Sequence, residues 1–477
     1  MSLRKFLAFD LGAASGRAII AAIANGNIAL EEVHRFPTRQ VTVDGHLRWD
    51  LPYLFDELKN GLARAVERGH GDIESVGIDT WGVDFGLIGK DGLLLDLPYA
   101  YRDHRTDGMM EKVFERMSGE EIYSSTGIQM MQINSLYQLF AMSRSNPELL
   151  ESCDKLLFMP DLLVYLLTGE KHSEYTIAST SQMLNAKERR WEEKIFSRLN
   201  LPVEIMPPIV YPGKVIGTIL PGIVNEVGLK KDVKVVAVGS HDTASAIAAV
   251  PVAGENWAYL SSGTWSLVGV ESESPIIRSD LMNEFTNEGG VGGKITFLKN
   301  VTGLWLLQET QRNWKEKGEE YSFNQLVKMA RVSSGVGSIV DPDDPSFLNP
   351  PDMPSAIKAY CRNAGARVPE SNGEIVRCIF DSLAAKYDSV LAKIGELTGR
   401  RVDVLHILGG GSQNELLNQL TADACGIPVM AGPSEATALG NVMVQAIAAG
   451  EVDSVARGRE LVASSFPSRR FSPAAPR

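Results

Sequence analysis

The chain has 477 residues and a mass of 52.0 kDa, more than one core of ordinary size accommodates, so two or more domains are expected. Its 44% hydrophobic and 22% charged residues are those of a water-soluble globular protein. A formal net charge of −12 without any dense Lys/Arg run excludes a nucleic-acid or anionic-membrane surface, and any anionic ligand must be held by local geometry.

The first apolar run is broken by Asp10, and no stretch approaches the roughly eighteen apolar residues of a membrane helix, so a cytoplasmic protein is expected. The four cysteines, Cys153, Cys361, Cys378 and Cys425, form no CxxC pair and have no His at ligand spacing. Buried, reduced thiols are expected, with a Cys361–Cys378 disulfide conceivable.

The chain opens with three strands in a meander: KFLAFDLG, GRAIIAAIA and, after the hairpin signal Asn25-Gly26, NIALEEVHRFP. The turn Gly12 to Arg17 lacks the lysine of a GxxxxGK[ST] loop and leads into a strand rather than a helix, so it is not a Walker loop. Backbone amides of a small-residue turn can cradle an anion, and an aspartate at a strand end is placed to hold Mg2+ through water. A plain hairpin turn with a capping Asp accounts for the same residues. Next comes a helical stripe of Leu54, Phe55, Leu58, Leu62 and Val66, then IESVGIDTWGVDFGLIG, which reads as one buried strand with a polar end. Helical segments fill about 108–200, and KKDVKVVAVGSHDTASAIAAV gives a strand, a Gly-Ser-His-Asp turn and a small-residue helix.

The opening device then recurs: NWAYLSSGTWSLVGVE is strand, turn and returning strand. This weak internal repeat predicts two halves meeting near residue 245, with domains 1–245 and 246–477. The second half continues with the loop DPDDPSFLNPPDMP and a helix from Glu374 to Leu397 bearing Ile375, Ile379, Leu383, Tyr387, Leu391 and Ile394 on one face. LGGGSQN follows a strand and enters a helix that begins near Ser412, and SEATALGNVMVQAIAAG reads as the closing helix. Alternating strands and helices in both halves imply an α/β architecture with mixed sheets flanked by helices.

Two small-residue turns, one in each half, suit a polyphosphate clamped from two sides, with Thr264 offering a hydroxyl. Three glycines before a helix let backbone lie against a base or ribose. Asp242, at a helix start, is kept ionised and suffices as a base, because phosphoryl transfer asks mainly for alignment of the acceptor hydroxyl; an N-cap Asp has the same pattern. DTWGVDFG and YRDHRT bring Trp, Asp and Arg to the polar ends of apolar runs, as a sugar pocket or as a buried aromatic with satisfied neighbours.

These motifs in this order, with LKNVTGLWLLQE, resemble the FGGY carbohydrate kinase family of the actin-like ATPase superfamily over nearly the whole chain. The resemblance implies two RNase H-like domains with the active site in the cleft between them, and phosphoryl transfer from ATP to the 1-hydroxyl of L-rhamnulose. It implies ATP-phosphate contacts from Ala13, Ala14, Ser15, Gly16 and Arg17 with Thr264 opposite, and nucleotide contacts from Gln308 and Gly410. Gly82, His241, Asp242, Thr243 and Asn300 would line the sugar pocket, Asp242 as base, and Asp10 would organise Mg2+. The chemistry of Trp81 adds it to the sugar pocket. Another deoxy-ketose such as L-fuculose as substrate, or a non-catalytic ATP-binding protein of the actin superfamily, are the alternatives, and the oligomeric state, monomer or homodimer, stays open.

Overall fold

The computed structural model describes residues 3–252, 254–333, 335 and 337–474. It has two compact units: 1–251 with 271–297 and 436–465, and 252–270 with 298–435 and 466–477.

The first unit is built on a sheet of β1 (Arg4–Leu11), β2 (Ser15–Ala24), β3 (Asn27–Pro37), β4 (Ser75–Thr80), β5 (Val215–Thr218) and β6 (Lys234–Val236), in the order β5-β6-β4-β1-β2-β3. Strand β1 is the pivot, antiparallel to β2 and parallel to β4, and buried from Phe6 onward as a doubly covered strand must be. Asn25 and Gly26 take the positive φ angles, 51° and 75°, of the expected tight hairpin turn. The helix Leu51–Glu67 starts at Asp50, whose carboxylate accepts from the amide of Tyr53, and it buries Leu54, Leu58 and Leu62 completely. Phe55 and Val66, from the same predicted stripe, are only partly covered at its edge.

The stretch expected to be one strand over 73–89 is two. Strand β4 ends at Thr80, and the next strand, Phe85–Gly89, pairs with Cys153–Phe158 in a separate two-stranded sheet. Between them Val83 adopts φ 69°, and the Asp84 carboxylate accepts from Trp49 Nε1 (2.7 Å), Trp81 Nε1 (3.0 Å), Gln138 Nε2 (3.0 Å) and the Tyr101 amide (3.1 Å). A fully buried carboxylate with four donors fixes the chain in a turn that hydrophobic patterning cannot reveal.

The helix Ala436–Ala448 packs in this first unit, and it is not the last element: the helix Val455–Ser465 and a strand follow. Its Gln445 donates to Leu7 O (3.0 Å) and accepts from Ser75 Oγ (2.7 Å), while Asn441 Nδ2 donates to Asp79 (2.6 Å). Polar side chains one turn apart thus tie the helix to both β1 and β4.

The second unit repeats the device. Strands β7 (Trp257–Ser262), β8 (Trp265–Ser272), β9 (Ile295–Thr302), β10 (Val404–Leu408), β11 (Val429–Ala431) and β12 (Arg469–Phe471) are ordered β9-β8-β7-β10-β11-β12, and the short strand Thr286–Gly289 is the seventh, at the edge beside β9. Strand β7 has β8 antiparallel on one side and β10 parallel on the other, as β1 has β2 and β4. The long helix spans Asn372–Thr398 behind a Ser371/Glu374 capping box and buries all six residues of its predicted face. After Gly409 comes a 3-10 turn, Gly410–Gln413, and the α-helix starts only at Glu415, because the Asn414 side chain caps it by accepting from Leu417 N. All four cysteines are free thiols. No described helix is long and apolar enough to cross a membrane.

Leu58→Ala removes a fully buried side chain and should lower stability by about 3 kcal/mol in urea unfolding, against less than half of that for the partly covered Phe55→Ala; equal losses would contradict this packing.

Candidate active site

The first unit carries the small-residue turn Gly12–Arg17 and an acidic group beside it. The turn between β1 and β2 is closed by the Gly12 amide donating to Ser15 O (3.0 Å), with Ala13 and Ala14 exposed at its tip. Gly16 is buried, and a Cβ there would lie 2.4 Å from the Phe36 ring, so only glycine lets β2 pass β3 at this point. Asp10 stands opposite Arg17 in the β1/β2 register, and the two form an ion pair of 2.5 Å with both side chains mostly buried. Asp10 also faces Asp79 across the parallel β1/β4 pair. Asp79 has no exposure, its Oδ1 is buried without a hydrogen-bond partner, and its carboxyl is pushed well above the usual range by burial first and then by the charges of Asp10 and Asp242.

The turn Ser240–Thr243 brings up the second part. Glu174 is fully buried and accepts from the amides of Thr176 (2.9 Å), Ile177 (3.1 Å) and Ser240 (3.2 Å) and from Thr176 Oγ1 (2.5 Å). The same hydroxyl accepts from the His241 amide (3.1 Å). The two amides preceding Asp242 thus hang from one carboxylate, directly or through one hydroxyl. Asp242 begins the helix Asp242–Ala248, with its side chain 32% exposed in a stretch otherwise buried. Burial pushes its carboxyl up, opposed by the neighbouring His241 charge and by hydrogen bonds from Thr243. His241 is pushed up to about 9: burial alone lowers it, but the charges of Glu288, Asp242 and Glu174 more than offset that. Gly82 lies against this group, since a Cβ on it would sit 3.3 Å from Thr180 Oγ1 and 3.4 Å from His241 Nε2.

Trp81 is 6% exposed, packed on Trp49 with centroids 4.1 Å apart and ring planes tilted by 37°, its N–H given to Asp84. The YRDHRT stretch is held similarly, with Arg105 donating to Gln138 (2.6 Å) over the Tyr99 ring and Asp103 accepting from the Leu47 and Arg105 amides.

In the second unit the turns after β7 and β10 lie together at the carboxyl ends of two parallel strands, the usual ligand end of such sheets. Thr264 Oγ1 donates to Gln308 (3.0 Å), and the Thr264 carbonyl accepts from the amides of Gly303 and Trp305. A Cβ on Gly411 would come within 2.0 Å of Ser262 Oγ, which makes glycine obligatory for this approach, whereas the space beside Gly410 is open. Thr264, Gln308 and Gly410 therefore belong to one surface of this unit, and Asn300 is a half-buried residue of β9 in the same unit.

Glu174, Thr176, Asp79 and Glu288 carry weight in the first unit that motif reading did not assign to them. Asp79 was legible as the polar end of an apolar run; a buried Glu174 or Glu288 looks like any surface glutamate in sequence.

Glu174 sits at about 7 in the fold, against an ordinary 4.5, chiefly because of burial, so the folded state binds the proton more tightly. Its contribution to stability is complete below 4.5 and is lost as pH rises through 7. Glu174→Gln should therefore compare better with the parent at pH 8 than at pH 5 in urea unfolding; an equal difference at both would contradict the assigned ionisation.

Models of the FGGY family of carbohydrate kinases match residues 5–248 (N-terminal domain) and 258–449 (C-terminal domain). The chain is 49% identical over 472 residues to a rhamnulokinase of Bacteroides thetaiotaomicron, covering 98% of this chain and 96% of that one. It is 42% identical to a rhamnulokinase of Oceanobacillus iheyensis, covering 96% of each. Among solved structures it shares its fold with gluconate kinase from Lactobacillus acidophilus (TM-score 0.82, 16% identity, 99% and 94% covered) and with Plasmodium falciparum glycerol kinase with ADP (TM-score 0.80, 15%, 99% and 94%). The fold is the two-domain, actin-like α/β fold expected from the motifs, and the chain belongs to the FGGY family of carbohydrate kinases.

Proposed function

We propose that the protein transfers the γ-phosphoryl group of ATP to the 1-hydroxyl of L-rhamnulose, giving L-rhamnulose 1-phosphate and ADP, in the cytoplasm. The observation that carries the chemistry is the partly exposed Asp242 carboxylate at a helix start, in a turn whose preceding amides are tied down. Near full-length likeness to rhamnulokinases supports the choice of sugar over L-fuculose, and an acceptor-competent Asp242 favours a kinase over a non-catalytic ATP-binding protein.

The substrate hydroxyl oxygen attacks the γ-phosphorus in line. Its new O–P bond forms as the bond to the β,γ-bridging oxygen breaks, the electron pair leaves with ADP, and the hydroxyl proton passes to Asp242. Gly82, His241, Thr243 and Asn300 hold the sugar, with Trp81 backing the pocket. The Ala13–Arg17 turn and Thr264 take the phosphates, and Gln308 and Gly410 the nucleoside side. In this division 1–245 supplies the base, one phosphate turn and the sugar pocket apart from Asn300, and 246–477 the nucleotide surface with Thr264.

Mg2+ fits the residues present. Asp10, with the partnerless Asp79 Oδ1 opposite it in the β1/β4 register, offers hard oxygen donors, and these two would hold the ion. Bound there, it would neutralise charge on the phosphates. Arg17, now paired with Asp10, supplies the same kind of neutralisation from the protein.

A panel of ketoses with coupled ADP detection tests this: L-rhamnulose should give the highest kcat/KM, and preference for L-fuculose, or sugar-independent ATP turnover, would overturn it. Asp242→Asn should lower kcat by at least about a hundredfold with ATP still bound; near-normal turnover would remove it as the base. Arg17→Ala should raise the KM for ATP and leave that for the sugar within about twofold, and unchanged ATP kinetics would contradict its phosphate role.

A further inference from the structure

We infer that Glu288, acting through His241, is the positioning residue that holds Asp242 in place and ionised for phosphoryl transfer; this rests on Asp242 being the base. Glu288 lies on the short strand Thr286–Gly289, and its Oε2 is 3.2 Å from His241 Nδ1. Both residues are more than nine-tenths buried, and neither of these two atoms has a hydrogen-bond partner among the described residues, so the contact between them is an ion pair. The other imidazole nitrogen, Nε2, is 3.5 Å from Asp242 Oδ1, so the ring lies between two carboxylates.

The ring cannot easily move. Gly82 packs against it from one side, where a Cβ would lie 3.4 Å from Nε2. The strand bearing Glu288 is fastened to the helix Tyr175–Ser179: the Gly289 amide donates to Ser179 Oγ (2.7 Å), and Gly289 packs so closely on Tyr175 that a Cβ would come within 2.6 Å of its ring. That helix is the one capped by Glu174, which also holds the amide of Ser240. Backbone and side chain of His241 are thus referred to a single helix.

The charges fit the role. Facing His241 are Glu288 from its strand, Glu174 from the end of the strand Ser173–Glu174 and Asp242 from the ring's own segment, and Asp79 faces Asp242 from β4. Burial works against charge on both His241 and Asp242. The imidazolium is the largest influence holding Asp242 down, while the direct repulsion from Glu288 is smaller. Glu288 therefore favours the ionised base by keeping its neighbour positive. Without Glu288, His241 holds its proton less tightly, and the burial of Asp242 is opposed chiefly by the hydrogen bonds from Thr243.

The first test is an NMR titration of the imidazole in the unaltered protein, assigned with His241→Gln. His241 should titrate near 9, and a midpoint at the ordinary 6.5 or below would overturn the inference whatever any variant does. In Glu288→Gln the midpoint should fall by two units or so, and the pH profile of kcat/KM should narrow from both sides, the acid limb moving up and the alkaline limb down. At neutral pH kcat should drop at least about tenfold, with the KM for ATP within about twofold, and Glu288→Asp should recover part of the loss. Parallel assays of Asp242→Asn separate the two claims. If that variant keeps normal turnover, the base assignment falls; if it is inactive while Glu288→Gln keeps the parent profile and kcat, only the role of Glu288 falls.

Discussion

The carboxylate of Glu174 has no contact with solvent, and the turn that presents Asp242 hangs from it. Burying a carboxylate is costly unless donors replace water, and here three amides and a hydroxyl do so. Each donor belongs to a segment that must be placed: two start the helix Tyr175–Ser179, one belongs to Ser240, and the hydroxyl passes the constraint on to His241. The group thus exchanges a desolvation penalty for a fixed relation between a helix and the Ser240–Thr243 turn. Asp242 can then stay partly exposed and still be held still.

The same economy of construction appears twice in the sheets. In each unit a strand with one antiparallel and one parallel neighbour ends in a small-residue turn. Packing explains several of those small residues without any ligand, because Gly16 makes way for Phe36 and Gly411 for Ser262. Close backbone packing leaves the turns tight, and a tight turn directs its amides outward, where a phosphate or a nucleoside can use them. Gly410, with open space beside it, is the exception, since packing does not require glycine there.

Much of this was legible in the sequence because it depends on local pattern. The meander, the Asn25-Gly26 turn, the buried face of the helix 372–398 and the strand-turn-strand device of both halves follow from periodicity and turn chemistry. What pattern could not give are features set by distant partners. Four donors on Asp84 break an apolar run into two strands, the Asn414 cap delays a helix past Ser412, and Gln445 and Asn441 attach a late helix to β1 and β4. Glu174 and Glu288 escaped for the same reason: a charged residue becomes a buried hub only through contacts that come from elsewhere in the chain. Trp81 illustrates the opposite risk, since an aromatic with sugar-binding chemistry has its N–H committed to Asp84.

The central claim is that this scaffold directs one hydroxyl of one sugar onto the γ-phosphorus of ATP. The most direct measurement is a phosphorus–proton NMR correlation on the product formed from L-rhamnulose and ATP. The account predicts a phosphate ester coupled to the two protons on C1 together with stoichiometric ADP. Phosphate attached at another carbon, or released as free orthophosphate, would contradict it.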